Sequence, residues 1–192
     1  MNIAALRSAI AASVFLDTQV RRVFVAESAS NIRTQLSRWT TQGQLVRIKR
    51  GVYHFAERPI EELNLSQWLY TPSYISLETA LNIQGILPDV AQQVTSITPT
   101  TTRSFQTAYG TYSYAKIKPA LFFGFSSEGS GDQAYQLAHP EKAVLDYLYL
   151  RHVTSISEAR LQLSRGFVRS RRFCAYLAQF PRRVSRVLEE VR

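Results

Sequence analysis

Cysteine is nearly absent from the 192-residue chain. Cys174 stands alone, which excludes an internal disulfide framework and suits a reducing, cytoplasmic setting. Histidine is scarce too: His54, His139 and His152 have no cysteine or histidine neighbour at metal-ligand spacing, so no metal is expected. No uncharged apolar run reaches 18 residues, and no membrane contact is expected. The apolar opening Ile3–Leu16 lacks a basic start, is interrupted by Arg7 and has no cleavage pattern before Asp17, so it reads as folded structure and not as a signal peptide. A phosphate-cradling loop is missing, since Gly129-Ser130-Gly131 is too short and runs into Asp132; there is no G-x-S-x-G either. Cys174, between Phe173 and Ala175 in a helical stretch, reads as a small buried hydrophobe. No catalytic residue and no cofactor are expected.

What is there is positive charge, unevenly spread. With 45% hydrophobic and 19% charged residues the chain has the composition of a folded protein, and its formal net charge is +9. Residues 1–55 carry eight Lys/Arg against two Asp/Glu, residues 56–150 five against nine, and residues 151–192 ten against three. Two basic ends around a mildly acidic middle suit a polyanionic partner met by more than one region, because phosphate neutralisation dominates nucleic-acid affinity.

The first 55 residues carry the clearest pattern. A helix over Asn2–Ala12, a short strand at Ser13–Leu16 and a second helix through Thr18–Phe24, with Asp17 as its cap, lead to the small and capping residues Ala26–Asn31. A third helix, near Ser28–Gln42, follows. Ala29, Ile32, Leu36 and Trp39 recur every three or four residues and make its core stripe. The opposite face carries Ser30, Asn31, Arg33, Thr34, Ser37, Arg38 and Thr41, side chains suited to phosphates and base edges. After Gln42-Gly43, the stretch Leu45–Phe55 reads as a β-hairpin turning at Arg50-Gly51, with Arg47, Lys49 and Arg50 alternating with apolar positions. A helix, strand, helix, helix and basic hairpin in this order predict a winged helix-turn-helix over residues 1–56, the third helix entering the major groove of double-stranded DNA.

Glu57–Leu65, with Pro59 and three acidic residues, marks a composition shift, and a linker is expected over residues 57–70. Residues 71–192 read as a larger α+β domain. A helix through Leu77–Ile83 stops at Gly85; Gln93–Thr98, Thr111–Ile117 and Leu121–Phe125 read as strands; a helix begins at Pro140; further helices are expected over Ser157–Arg165, Arg169–Gln179 and Pro181–Val191. The last of these carry a second basic surface: Arg165, Arg169, Arg171, Arg172, Arg182, Arg183 and Arg186. A magnesium-dependent nuclease would need Glu78, Glu141, Lys142 and Asp146 around an ion. Three of these four share one helix, where Lys142 can simply pair with Asp146, and Glu78 reads as a first-turn carboxylate.

The wing Arg47–Tyr53, the segment Ser73–Leu81 with Gly85-Ile86-Leu87-Pro88, the run Phe122–Phe125 and the segment Ala138–Asp146 together resemble, in order and over most of the chain, the AbiEi-type antitoxins. That resemblance implies a transcriptional repressor of a type IV toxin–antitoxin, phage-defence (abortive infection) operon. Its N-terminal winged helix would bind the operon's own promoter at inverted repeats, and its C-terminal domain would counter a nucleotidyltransferase toxin and support DNA binding. A DNA-binding regulator without a toxin partner is the narrower form of the same expectation.

Overall fold

Asn2 caps the first helix, α1 (Ile3–Ala9), its Oδ1 accepting the Ala5 N–H at 2.8 Å and satisfying a donor that the helix start leaves unpaired. The computed structural model describes residues 1–89, 91–157 and 159–191, and the chain is mixed α+β. β1 (Val14–Leu16) leads directly into α2 (Asp17–Val23), where the Gln19 side chain accepts the Leu16 N–H at 2.7 Å. α3 (Ala29–Thr41) starts from Ser28, whose Oγ accepts the Asn31 N–H at 3.1 Å. Its periodic Ile32, Leu36 and Trp39 are buried against Leu6, Phe15, Val20, Leu45 and Phe55; Ala29 is exposed. β2 (Leu45–Lys49) and β3 (Val52–Phe55) form the hairpin and join β1 in a sheet of order β1-β3-β2, antiparallel throughout.

The pairing of β2 with β3 is not regular. Arg47 lies opposite Tyr53 but Lys49 lies opposite Val52, so Ile48 is an extra residue, a bulge. A bulge reverses the alternation of side chains beyond it. Arg47 and Lys49 therefore leave opposite faces of the sheet, although their spacing of two predicts one face.

The stretch expected to be a linker contains α4 (Glu62–Leu69), built around buried Asn64, Leu65, Ser66 and Leu69. Its acidic start conceals a helical apolar stripe. Beyond it lies a six-stranded mixed sheet of order β6-β7-β5-β4-β9-β8. Its strands are β4 (Tyr74–Ile75), β5 (Val94–Thr98), β6 (Arg103–Thr107), β7 (Gly110–Lys116), β8 (Phe125–Glu128) and β9 (Tyr135–Ala138). α5 (Leu77–Ile83) and α6 (Pro140–Leu150) supply helices to its main core, with α7 (Arg165–Val168), α8 (Arg171–Leu177) and α9 (Arg182–Val187) closing over it through Val168, Phe173, Leu177 and Val184.

β7 shows how the two parts meet. Ala115 packs toward the main core, whereas Tyr112 and Tyr114 face the other way, onto Leu65 and Leu69 of α4 and Val14, Ile48 and Val52 of the N-terminal sheet. Residues 1–55 and the large sheet thus share a hydrophobic cluster. Polar contacts reinforce it: the Ser13 N–H donates to Asp132 Oδ2 at 3.0 Å, the Tyr109 hydroxyl and His54 Nδ1 share a hydrogen bond of 2.9 Å, and the Tyr114 hydroxyl donates to the Ser66 carbonyl at 2.7 Å. Arg58 clasps the end of α1, donating to the carbonyls of Arg7, Ile10, Ala11 and Ala12 at 2.7–2.9 Å while stacking over Phe55.

Three local expectations change. Leu121–Phe125 is not a strand: Pro119 opens a 3-10 turn over Pro119–Leu121, and Gly124 takes φ +76°, so pairing begins only at Phe125. Ser157–Arg165 does not form the expected helix: turns at 157 and 159–160 pass into irregular backbone up to Ser164, and Arg165 opens α7, position 158 lying outside the described residues. Cys174 is exposed, because Phe173 and Leu177 form the buried stripe of α8 and the next residue falls off it. Gly124 is also a packing requirement, since a Cβ there would stand 3.0 Å from the Tyr176 ring and 3.1–3.2 Å from Lys142.

Candidate nucleic-acid interface

Ser30, Asn31, Arg33, Thr34, Ser37 and Arg38 all lie on the exposed face of α3. Several of the smaller ones are engaged locally. The Thr34 hydroxyl donates to the Ser30 carbonyl at 3.0 Å, Ser30 shares a hydrogen bond with the Ser28 hydroxyl, and the Asn31 amide donates to Glu27. The arginine side chains are not so engaged: among the described residues, the guanidinium groups of Arg33 and Arg38 are in no hydrogen bond or ion pair, nor are those of Arg47 and Arg50 on the hairpin.

Arg33 and Ser37 of α3, Arg47 and Arg50 of the hairpin, and Arg21 of α2 line one groove of about 610 Å³, floored by Tyr53 and Gly51. Three elements thus bring four guanidinium groups together. One carboxylate tempers them: Asp17 Oδ2 accepts from Arg21 Nη2 at 2.7 Å. The hairpin tip is seated here by the Asp17 N–H, which donates to the Gly51 carbonyl at 2.9 Å. Gly51 has φ +80°, a conformation an L side chain resists. Arg21 was not singled out by sequence reasoning; its signal was its place one helical turn beyond Asp17.

Lys49 goes elsewhere. Beyond the bulge, its amine donates to the Leu69 carbonyl and stands 5.7 Å from the Phe105 ring centre, and burial pulls its pKa down. It joins the hairpin to the second part instead of lining the arginine groove.

The C-terminal arginines point outward from α7, α8 and α9, whose apolar residues enter the core. Arg165, Arg171, Arg182 and Arg186 are exposed, as is Arg169; Arg172 lies 3.9 Å from Glu141 Oε2. Arg183 is anchored, donating to the Tyr149 carbonyl at 2.6 Å and to His152 Nδ1 at 3.0 Å.

Lys142 and Asp146 are fully buried and ion-paired. Asp146 Oδ2 also accepts from the Tyr74 and Ser76 hydroxyls, each at 2.9 Å, and Lys142 donates to the Tyr74 oxygen at 2.8 Å. The rings of Tyr74, Phe123 and Phe180 stand 5.2 Å from the amine. Burial lowers the Lys142 pKa and raises that of Asp146, while their contact opposes both shifts. Glu78 instead forms a two-point pair with Arg151 at 2.6 and 2.9 Å. The four groups therefore do not converge on one open site. Neither the protein-family models nor the curated proteins give a match to this chain.

Proposed function

We propose that the chain is a sequence-specific DNA-binding repressor whose residues 1–56 form a winged helix-turn-helix. The observation that carries this reading is the groove in which Arg21, Arg33, Arg47 and Arg50 converge beside the exposed face of α3. In this reading α3 lies in the major groove, where Arg33 can bond guanine at two points, and the hairpin arginines neutralise phosphates alongside. Lys49 has no part in it, and Arg21 enters in its place.

From the resemblance alone, the repressor acts on its own promoter and serves as antitoxin to a nucleotidyltransferase. The basic groove supports the DNA-binding half of this reading whether or not a toxin exists.

Titration of the full chain against its own promoter and against random duplex, at several salt concentrations, tests the first claim. Arg33→Ala should weaken specific binding by about 1–3 kcal/mol and relax the preference at one base position, whereas Arg47→Ala should weaken both duplexes and flatten the salt slope by about one. Equal binding to both duplexes overturns sequence specificity. Unchanged titrations for both variants remove the groove from DNA binding. For the second claim, co-expression with a neighbouring nucleotidyltransferase gene should show rescue of growth by the wild-type chain and by Arg33→Ala/Arg47→Ala alike; no rescue by the wild type refutes antitoxin activity.

A further inference from the structure

The chain has only four lysines, at 49, 116, 118 and 142. Lys49 and Lys142 are tied inside the fold. The remaining two, Lys116 at the end of β7 and Lys118 just beyond it, line one cleft of about 460 Å³ together with Arg183 of α9 and His152. The surrounding stretch of sequence is net acidic, yet no Asp or Glu lines this cleft. Among the described residues, neither lysine has an ion-pair partner.

Arg183 is not a free surface side chain. Its guanidinium lies 4.7 Å from the Tyr149 ring centre and is fixed by its bonds to the Tyr149 carbonyl and His152 Nδ1. Because a guanidinium only donates, His152 Nδ1 is the acceptor, and in the neutral ring the proton sits on Nε2 as a further donor. His152 is held with φ +52° directly after α6, which places its ring beside Arg183.

We propose that this cleft binds phosphate. Three formal positive charges, two from the end of β7 and one from α9, with a positioned guanidinium and no carboxylate to compete, suit an anion of more than one charge better than a lone carboxylate. The volume admits a group larger than a single phosphate, so the phosphoryl moiety belongs either to a free phosphorylated small molecule or to the backbone of a nucleic acid. The cleft is distinct from the arginine groove and shares no residue with it.

The experiment is calorimetric titration with pyrophosphate, at constant ionic strength, of the full-length Arg33→Ala/Arg47→Ala variant, whose arginine groove is weakened, and of the same variant carrying Lys116→Ala/Lys118→Ala in addition; Lys116→Ala/Lys118→Ala alone, the lysine variant, serves for the duplex. Both lysines are exposed, so their removal leaves the fold intact; circular dichroism checks this. The Arg33/Arg47 variant should bind pyrophosphate saturably, and adding the two lysine substitutions should weaken that binding at least about tenfold. Absence of saturable binding in the Arg33/Arg47 variant, or an affinity that the added lysine substitutions leave unchanged, overturns the proposal even if promoter binding stands. Duplex titration of the lysine variant separates the sources: unchanged affinity assigns the cleft to a free phosphorylated ligand, and a weakened, less salt-dependent affinity assigns it to the nucleic-acid backbone.

Discussion

Replacing Lys142 by methionine keeps most of the side-chain volume and removes the charge opposite Asp146. The carboxylate, fully buried and left with only the Tyr74 and Ser76 hydroxyls, then escapes by taking a proton. At pH 7 this means protonation about 3 units above the ordinary carboxylate pKa, a cost of at most ~4 kcal/mol, and at pH 5 of ~1.5 kcal/mol. The two hydroxyl donors offset part of it, and the pH 7 figure agrees with the ~3–5 kcal/mol lost when a buried pair loses one member. The sign follows from proton counts. In the variant the folded state holds a proton that the unfolded state has lost, so stability falls as pH rises, by ~1.4 kcal/mol per unit above the unfolded pKa. Urea unfolding of wild type and Lys142→Met at pH 5, 6 and 7 measures this directly. Lys142→Met/Asp146→Leu, which removes both charges, should recover most of the loss and abolish the added pH slope. A loss that is constant across pH, or below ~1 kcal/mol at pH 7, refutes the assignment of an ionised buried pair.

Two further outcomes are expected. Gly51→Ala should destabilise by ~1–2 kcal/mol through its φ of +80°, because an added Cβ meets only the Asp17 carboxyl, at ordinary contacts of 3.4 and 3.7 Å; a thermal melt unchanged from wild type refutes this. His54, 2% exposed with its Nε2 unpartnered among the described residues, has its pKa lowered from 6.5 by burial. The unfolded chain therefore takes up the proton first, and stability is full above pH 6.5 and falls as pH drops through that value. His54→Gln should flatten the difference between melts at pH 7.5 and 5.5, and an identical pH dependence in the two proteins refutes the role.

The helices and strands that were legible were those whose signal is local. Ile32, Leu36 and Trp39 mark α3, Pro140 opens α6, and Gly51 sits where the hairpin turns. The Arg33 and Ser37 face could be read because a helix fixes its own periodicity. What escaped depended on partners distant in sequence. Leu65 and Leu69 look like part of a linker until Tyr112 and Tyr114 are brought against them. Lys49 looks like a partner of Arg47 until a single extra residue, Ile48, turns it over. Arg21 belongs to the groove only because β2 and β3 fold back beside α2. Lys116, Lys118 and His152 lie far from Arg183 along the chain, and no spacing links them.

The cluster that Val14, Ile48 and Val52 share with Leu65, Leu69, Tyr112 and Tyr114 also governs how this protein can be altered. Residues 1–55 are not a cassette that can be cut out, grafted onto another scaffold or exchanged between relatives on their own. Excision would strip apolar surface on both sides of the cut and invite aggregation. Change in the N-terminal part has to come residue by residue on the arginine side, with the sheet's other face held constant by the cluster it shares with α4 and β7.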